Sequence, residues 1–148
     1  MNPNNLPSNE AVLAGDIDPD LNAAGTLTTG WINMGLYETI QAIIMAGALG
    51  TSATLDAKLE QATDSSGTGA KDISGKAITQ LTEAGGDSDK QAIINCRSDE
   101  LDVNNGFSHV RLSMTVATAS SDSGAVVLGH HARYQPATDI ASVAEVIS

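Results

Sequence analysis

Three aspartates near the start of the chain have a spacing that could hold a metal ion. Asp16, Asp18 and Asp20 follow the D-x-D-x-D pattern, which in calcium-binding loops gathers carboxylate oxygens around a hard cation. Such a loop would also need glycine at position 21 and an acidic residue at position 27, where this chain has Leu21 and Leu27. We therefore interpret the three carboxylates as part of a solvated acidic segment, and we expect no metal there.

The histidines form a second arrangement that could bind a metal or a phosphate. His130 and His131 are adjacent, and Arg133 follows closely. Neighbouring residues of a strand point to opposite faces, so the two imidazoles cannot hold one ion together. His109 could approach one of them from another strand, but two histidines without a third ligand make a weak zinc site. We expect one exposed imidazole, one packed imidazole and no bound cofactor.

The single cysteine and the acidic pairs do not predict an active site. Cys96 has no second cysteine with which to form a disulfide within the chain. It ends the apolar run that begins at Ala92, where a cysteine usually serves as a small hydrophobic residue. The acidic pair at Asp99 and Glu100 fits a turn, and no G-x-S-x-G, P-loop, H-E-x-x-H or G-x-G-x-x-G motif is present. The sequence predicts a protein that is not an enzyme.

The composition restricts the partners that the chain can have. Its 148 residues fit one domain, and its net charge of −11 disfavours both nucleic acid and an anionic membrane surface. The aromatic residues, which sugar-binding and base-binding sites use for stacking, are few: Trp31, Tyr37, Phe107 and Tyr134. The start of the chain has no apolar signal segment, so we expect synthesis in a cytoplasm.

The chemistry-bearing residues lie among short segments that predict β-strands. Residues 51–61 and 108–118 alternate between apolar and polar side chains, which is typical of strands with one buried face. Residues 36–46 fit either a helix or a buried strand, and we favour the strand. Further strands are predicted at 28–34, 71–74, 76–82, 91–97 and 124–134. The fold prediction is an all-β, antiparallel β-sandwich, jelly-roll-like, with about seven or eight strands.

The chain is predicted to have an arm, a sandwich and a tail, at residues 1–26, 27–137 and 138–148. The arm holds three of the four prolines and few bulky apolar residues, a composition that does not order alone. We expect its isolated apolar residues to dock onto the chain's own domain or onto a neighbouring subunit, with residues 10–24 contacting the neighbour. The candidate interface residues are Val12, Leu13, Ile17, Leu21, Trp31 and Tyr134.

Short sequence segments support a resemblance to a known family. They include the apolar segment 37–48, the alternating segment 53–61 with the Asp-Ser-Ser-Gly loop after it, and the segments 73–78, 108–112, 124–129 and 132–136. Over residues 30–137 the chain resembles the capsid decoration, or cement, proteins of tailed phages and prophages, which are small β-sandwich virion proteins. The resemblance implies that the chain binds the outside of an icosahedral head and stabilises contacts between capsomers. It further implies the major capsid protein as partner, a homotrimer, and synthesis in the host cytoplasm.

Other functions remain open on the sequence. A head–tail connector, a tail part or a fibre component of a phage would also be a β-rich structural protein, and a connector should form rings. A β-sandwich module that binds a glycan or a protein would place aromatic residues on one exposed face. An enzyme would need a cleft with convergent polar groups.

Overall fold

Ten strands form two antiparallel sheets in the computed structural model, which describes residues 4–148. The strands are β1 (Ala11–Asn22), β2 (Gly25–Thr28), β3 (Ile32–Asn33), β4 (Tyr37–Ala46), β5 (Thr54–Ala62), β6 (Lys71–Ala77), β7 (Leu81–Thr82), β8 (Gln91–Arg97), β9 (His109–Ala117) and β10 (Ser121–Ala132). A single helical turn, α1 (Pro7–Glu10), precedes them, and 3₁₀ turns occupy Ser98–Glu100 and Val103–Asn105.

The strand order identifies the fold. The longer strands pair from the outside of the chain inwards: β1 with β10, β2 with β9, β4 with β8, and β5 with β6. This long hairpin is folded over, so that one sheet has the order β1-β10-β4-β8 and the other the order β2-β9-β5-β6. The strand β3 extends the second sheet beside β9, and β7 lies beside β5. Eight strands in two Greek keys, packed as two sheets, make a jelly roll, as predicted.

The core between the sheets is aliphatic. The clean alternation in β5 and β9 buries every second residue, because successive side chains of a strand point to opposite faces. The opposite wall comes from β4, β8 and β10. Fully buried residues of the core include Ile40, Ile44, Leu55, Leu59, Val110, Leu112, Met114 and Val127. Each such side chain contributes about 1.5–3 kcal/mol through removal from water.

The predicted arm is wrong for most of its length. Residues 11–22 are a full strand at the edge of the four-stranded sheet, paired along β10, and β2 begins at Gly25. Residues 1–3 of the predicted arm lie outside the described residues. Composition misled the prediction because an edge strand tolerates proline and charge. Pro19 and its aspartate neighbours lie at this edge, beside a register shift between Ile17 and Asp20.

The other segment predictions differ from the structure in detail. Residues 36–46 form a strand, as favoured, and β6 runs continuously through Gly75 where two strands were expected. The strand predicted at 28–34 is interrupted between β2 and β3. Residues 133–148, which include the predicted tail, hold no regular element. Instead, the Ile140 N–H donates to the carbonyl of Leu13 at 2.9 Å, which fixes the tail to the free edge of β1.

Candidate interaction surface

The outer side of the four-stranded sheet carries aliphatic residues where water would be expected. Ala42, Ile44 and Val127 point into the core, and their strand neighbours therefore point outwards. The register places Val126 beside Ile43 and Ile43 beside Ile93 in a row across three strands. Together with two residues on adjacent rows, they form what we call the apolar face, which consists of Ile43, Met45, Ile93, Val126 and Leu128.

The apolar face is accessible. Met45 is 54% exposed and Ile93 is 57% exposed, while Ile43, Val126 and Leu128 are half-buried. In an antiparallel sheet the outer side usually alternates to polar residues. Contiguous exposed apolar residues on a soluble chain mark interaction sites. This face is therefore the chain's strongest candidate for a protein-binding surface.

A groove opens where the apolar face meets the end of β1. It has a volume of about 620 Å³, and Leu21, Met45 and Val126 line it together with Pro19. Gly124 makes the groove's shape, because a Cβ at that position would lie 2.8 Å from the Cα of Pro19. The absence of a side chain on Gly124 thus lets the irregular part of β1 fold over the outer side of β10.

Carboxylates border the groove and the free edge of β1. Asp20 and Asp122 line the groove, and Asp16 and Asp18 lie on the same strand as Asp20. We call these four residues the acidic rim. Among residues 4–148, none of the four forms an ion pair within 4.0 Å. The Ser142 hydroxyl donates to Asp16 Oδ2 at 3.3 Å, and the Leu21 N–H donates to Asp20 Oδ1 at 2.8 Å.

The outer side of the six-stranded sheet is polar and internally paired. Glu60 accepts a hydrogen bond from Arg111 Nε at 3.1 Å, and Lys58 lies 2.8 Å from Asp72. The pKa of Lys58 is raised, chiefly by its hydrogen bond to Asp72. On this side of the molecule the outward residues of β5 and β9 find partners within the chain.

The four candidate interface residues of the N-terminal segment differ in how far they are buried in the structure. Val12 and Ile17 are buried in the core of their own domain, so the prediction that they contact a neighbouring subunit is corrected. Leu13 is half-buried, and its backbone N–H donates to Asp139 Oδ1 at 2.7 Å. Leu21 is 62% exposed and lines the groove. Of the four residues, only Leu21 has a side chain that a partner can reach freely.

The two aromatic candidates lie apart from the apolar face. The guanidinium of Arg111 sits 4.5 Å from the centroid of the Trp31 ring, which places Trp31 at the six-stranded sheet. A Cβ at Gly67 would come within 2.7 Å of the Trp31 Nε1, so that loop covers the indole closely. Tyr134 is 76% exposed, after the end of β10. The structure therefore does not bring these two residues together with Leu21.

The metal and nucleophile candidates remain dispersed. In the part of the chain from residue 4 to 148, no three His, Cys, Asp or Glu side chains converge as a metal site would require. The Nδ1 of His109 lies 2.9 Å from the Ser108 hydroxyl, while His130 is half-buried and His131 exposed. Burial raises the pKa of the Cys96 thiol to about 11, so the thiol is protonated at neutral pH and is a poor nucleophile.

Sequence reasoning missed the residues that make the apolar face. A usable signal was present, because β4 and β8 contain adjacent isoleucines, Ile43-Ile44 and Ile93-Ile94. Two adjacent aliphatic residues in a strand must point to opposite faces. One isoleucine of each pair therefore had to lie outside the sandwich core. The alternation in residues 51–61 and 108–118 predicted the polar outer side of the six-stranded sheet. It carried no information about the outer side of the four-stranded sheet.

Comparisons with known proteins find distant structural likenesses and no match in sequence. No protein-family model matches the sequence, and no curated protein matches it. Among solved structures, a chain of the cryo-EM structure of Broad Bean Stain Virus is similar, with a TM-score of 0.47 and 9% identity over 93% of this chain and 96% of that one. A chain of the Cowpea Mosaic Virus empty virus-like particle gives 0.42 and 10% identity, over 88% and 85% of the two chains.

Two further solved structures also show a distant likeness to this chain. A chain of the infectious bursal disease virus Gx strain gives a TM-score of 0.43 and 13% identity over 84% of this chain, which spans only 33% of that one. The xylan-binding module CBM15 gives 0.33 and 13% identity, over 82% and 89%. Jelly rolls occur in capsid and lectin domains alike, and a fold does not determine a function.

Within the described residues, no helix is long and apolar enough to cross a bilayer.

Proposed function

We propose that the chain is a virion structural protein, a decoration protein that binds the outside of an icosahedral phage head through its apolar face. The observation that carries the proposal is the apolar face, in which Met45 and Ile93 are exposed beside the half-buried Ile43 and Val126, on one side of a sandwich whose other side is polar. On a chain with a net charge of −11, an apolar surface of this kind is expected where a protein partner binds.

The sequence resemblance supplies the identity of the partner in this proposal. The segments that resemble phage decoration proteins fall on β4, β5, β6, β9 and β10, so they cover both sheets. We therefore propose the major capsid protein as partner, trimers of the chain on the shell, and a location on the virion exterior after synthesis in the host cytoplasm.

The mechanism is burial of a preformed surface. The apolar face lies on regular strands held by backbone hydrogen bonds, so little conformational entropy is lost when a partner covers it. A stable contact of this kind buries about 1,000 Å² or more. Many copies on one shell add their contacts, so that the shell is stabilised although each contact is modest. The role requires no catalytic group.

The proposal is tested by co-sedimentation with expanded heads of the phage or prophage that encodes the chain, stripped of this protein. The wild-type chain should bind saturably at a fixed ratio to the shell subunit, with its solution mass showing a trimer. The variant Met45→Asp/Ile93→Asp should bind at least about a hundredfold more weakly, because two charges would have to be buried without partners. Both positions are exposed in the free chain, so folding should be preserved.

A matched control carries the same charge on the other side of the molecule. Ser74→Asp/Thr79→Asp adds two charges at exposed positions on β6 and just after it, in the six-stranded sheet, and it should bind heads as the wild type does. Equal loss of binding in both variants would point to net charge alone and contradict the role of the apolar face. A wild-type chain that does not bind heads would overturn the function itself, and rings in solution would favour a connector.

A further inference from the structure

We propose that the groove at the end of the apolar face binds an extended segment of a different protein, in which an aliphatic side chain stands next to a lysine or arginine. The inference rests on the proposed function and specifies how the shell subunit would be recognised. The residues that would contact this segment are Leu21, Met45, Asp20 and Asp122.

The shape of the groove selects an aliphatic side chain. Its volume of about 620 Å³ is lined mainly by apolar atoms of Leu21, Met45, Pro19 and Val126. Pro19 packs directly against Gly124, where a Cβ would come within 2.8 Å of the Pro19 Cα, and so forms one side of the groove. No aromatic residue is among the lining residues, so the groove has no surface on which a sugar ring would stack. An extended chain with one branched side chain fits such an open depression.

The charge of the groove selects a neighbouring cation. Asp20 and Asp122 stand at its border, and Asp16 and Asp18 continue the acidic rim along β1. Lys90 is the cation nearest to the groove by strand register, since its carbonyl accepts from Ala46. Its ammonium group, however, is held by Asp87 at 2.8 Å. The acidic rim is therefore left for the charge of a partner.

A second copy of this chain fits the groove poorly. Six of its seven cationic side chains, Lys58, Lys71, Lys76, Lys90, Arg97 and Arg111, are already in ion pairs within the chain. The seventh, Arg133, follows β10 at the end of that strand opposite to Asp122. Within residues 4–148, a second copy would therefore bring one cation without an ion pair of its own to the four carboxylates of the acidic rim. The charge that complements the rim must therefore come mainly from a different protein.

Peptide titration tests this chemistry directly. The probe is a short blocked peptide with leucine at its centre, valine on both sides and lysine at both flanks. Matched peptides replace the lysines with glutamate, or the aliphatic residues with serine. Amide shifts in ¹H–¹⁵N spectra of the full chain should concentrate at Leu21, Met45, Asp122 and Gly124 with the lysine peptide. The glutamate and serine peptides should leave these amides unmoved.

Variants separate the apolar contribution from the charged one. Leu21→Ser should abolish the shifts, and Asp20→Asn/Asp122→Asn should weaken binding about fivefold at low salt, as expected for two exposed charge contacts. The double variant should also show a weaker salt dependence than the wild type over the range up to about 0.5 M. Glu38→Gln/Asp56→Asn removes the same charge from other places and should bind as the wild type. Equal affinity for lysine and glutamate peptides, or shifts confined to other residues, would overturn the inference.

The same variants distinguish this inference from the proposed function. If Asp20→Asn/Asp122→Asn binds heads as tightly and with the same salt dependence as the wild type, while Met45→Asp/Ile93→Asp does not bind, the function stands and the groove inference fails. If the wild-type chain binds no heads, the function fails, whereas the peptide titration still decides the chemistry of the groove. If both head binding and peptide binding depend on the two aspartates, both proposals are supported.

Discussion

The outer sides of the two sheets differ in the residues that they present to water. On the six-stranded sheet, polar residues alternate with buried ones, and the outward charges pair with each other, as Arg111 does with Glu60. On the four-stranded sheet, Ile43, Ile93 and Val126 form an aliphatic row on the outer side, with Ile93 exposed and the other two half-buried. The first side presents polar groups to water, while the second combines this aliphatic row with neighbouring polar residues such as Gln41 and Asn95. In the proposed function, the partner would therefore cover the four-stranded side only.

The contrast also shows what strand patterns mean in an antiparallel sandwich. Alternation in β5 and β9 reports a side that faces solvent. Its breakdown at Ile43-Ile44 in β4 and at Ile93-Ile94 in β8 reports strands that place an aliphatic residue on each face at these positions. Since one face of these strands already lies in the core, the other face is the candidate for an interface.

The largest expected effect compares an inward residue with an outward one. Leu59 is fully buried on β5, so Leu59→Ala should lower the free energy of unfolding by about 2–5 kcal/mol. Ile93→Ala on the apolar face should lower it by less than about 1 kcal/mol. Urea denaturation of both variants measures the difference. Similar losses would mean that Ile93 is already part of the core, and the contrast between the two sides would not hold.

The next effect concerns the groove. A Cβ at Gly124 would lie 2.8 Å from the Pro19 Cα and 3.1 Å from the Ile17 carbonyl oxygen. Gly124→Ala should therefore displace the end of β1 and lower the free energy of unfolding by about 1–3 kcal/mol. At Gly30 a Cβ would meet nothing within 4 Å, so Gly30→Ala should be nearly neutral in the same denaturation experiment. An undisturbed Gly124→Ala would show that the strand end yields freely.

A smaller effect tests the pairing on the polar side. Arg111 and Glu60 are largely buried, with 27% and 15% of their side chains exposed, and Arg111 also lies over Trp31. Glu60→Gln should lower the free energy of unfolding by about 1 kcal/mol and change the fluorescence of Trp31. The exposed pair of Arg97 and Asp99 is the control. Asp99→Asn should have no measurable effect, and a greater effect there would mean that the polar side is not stabilised by its buried pair.

The smallest effect is a dependence on acid. Hydrogen bonds from the Arg97 N–H and Lys76 lower the pKa of Glu100 below its usual value of 4.5. A carboxyl with a lowered folded-state pKa adds stability that is complete above the unfolded pKa and is lost as the pH falls through the folded one. The thermal midpoint should therefore drop as the pH falls below about 4.5. Glu100→Gln should reduce this drop, and an unchanged pH profile would contradict the assignment.

The sequence predicts the polar half of this molecule better than the other half. The alternation of apolar and polar residues in 51–61 and 108–118 predicts β5 and β9, because one face of each strand meets water and the other meets the core. The fold class followed from these strands and their turns. The edge strand β1 was missed because Asp16, Asp18 and Pro19 satisfy a composition rule for disorder, while the stabilising partner, β10, lies about a hundred residues away in the sequence.

The candidate surface was harder to predict for a related reason. A row such as Val126, Ile43 and Ile93 exists only when three strands, distant in sequence, are placed in register. No local pattern contains that row. Leu21 was identified because it is an apolar residue in an acidic segment, which is a local property. Val12 and Ile17 have the same local property, yet the alternation of β1 buries them.

The pairing of β1 with β10 has a consequence for synthesis of the protein. Asn22 pairs with Ser121, so the ribosome must add about a hundred residues before the four-stranded sheet can close, which takes roughly 5–20 s at about 5–20 residues per second. During that time β4 exposes aliphatic residues on both of its faces, since the core between the two sheets has not yet formed. Nascent chains in that state are candidates for binding by chaperones, and slower translation near the end of β10 should raise the fraction that aggregates.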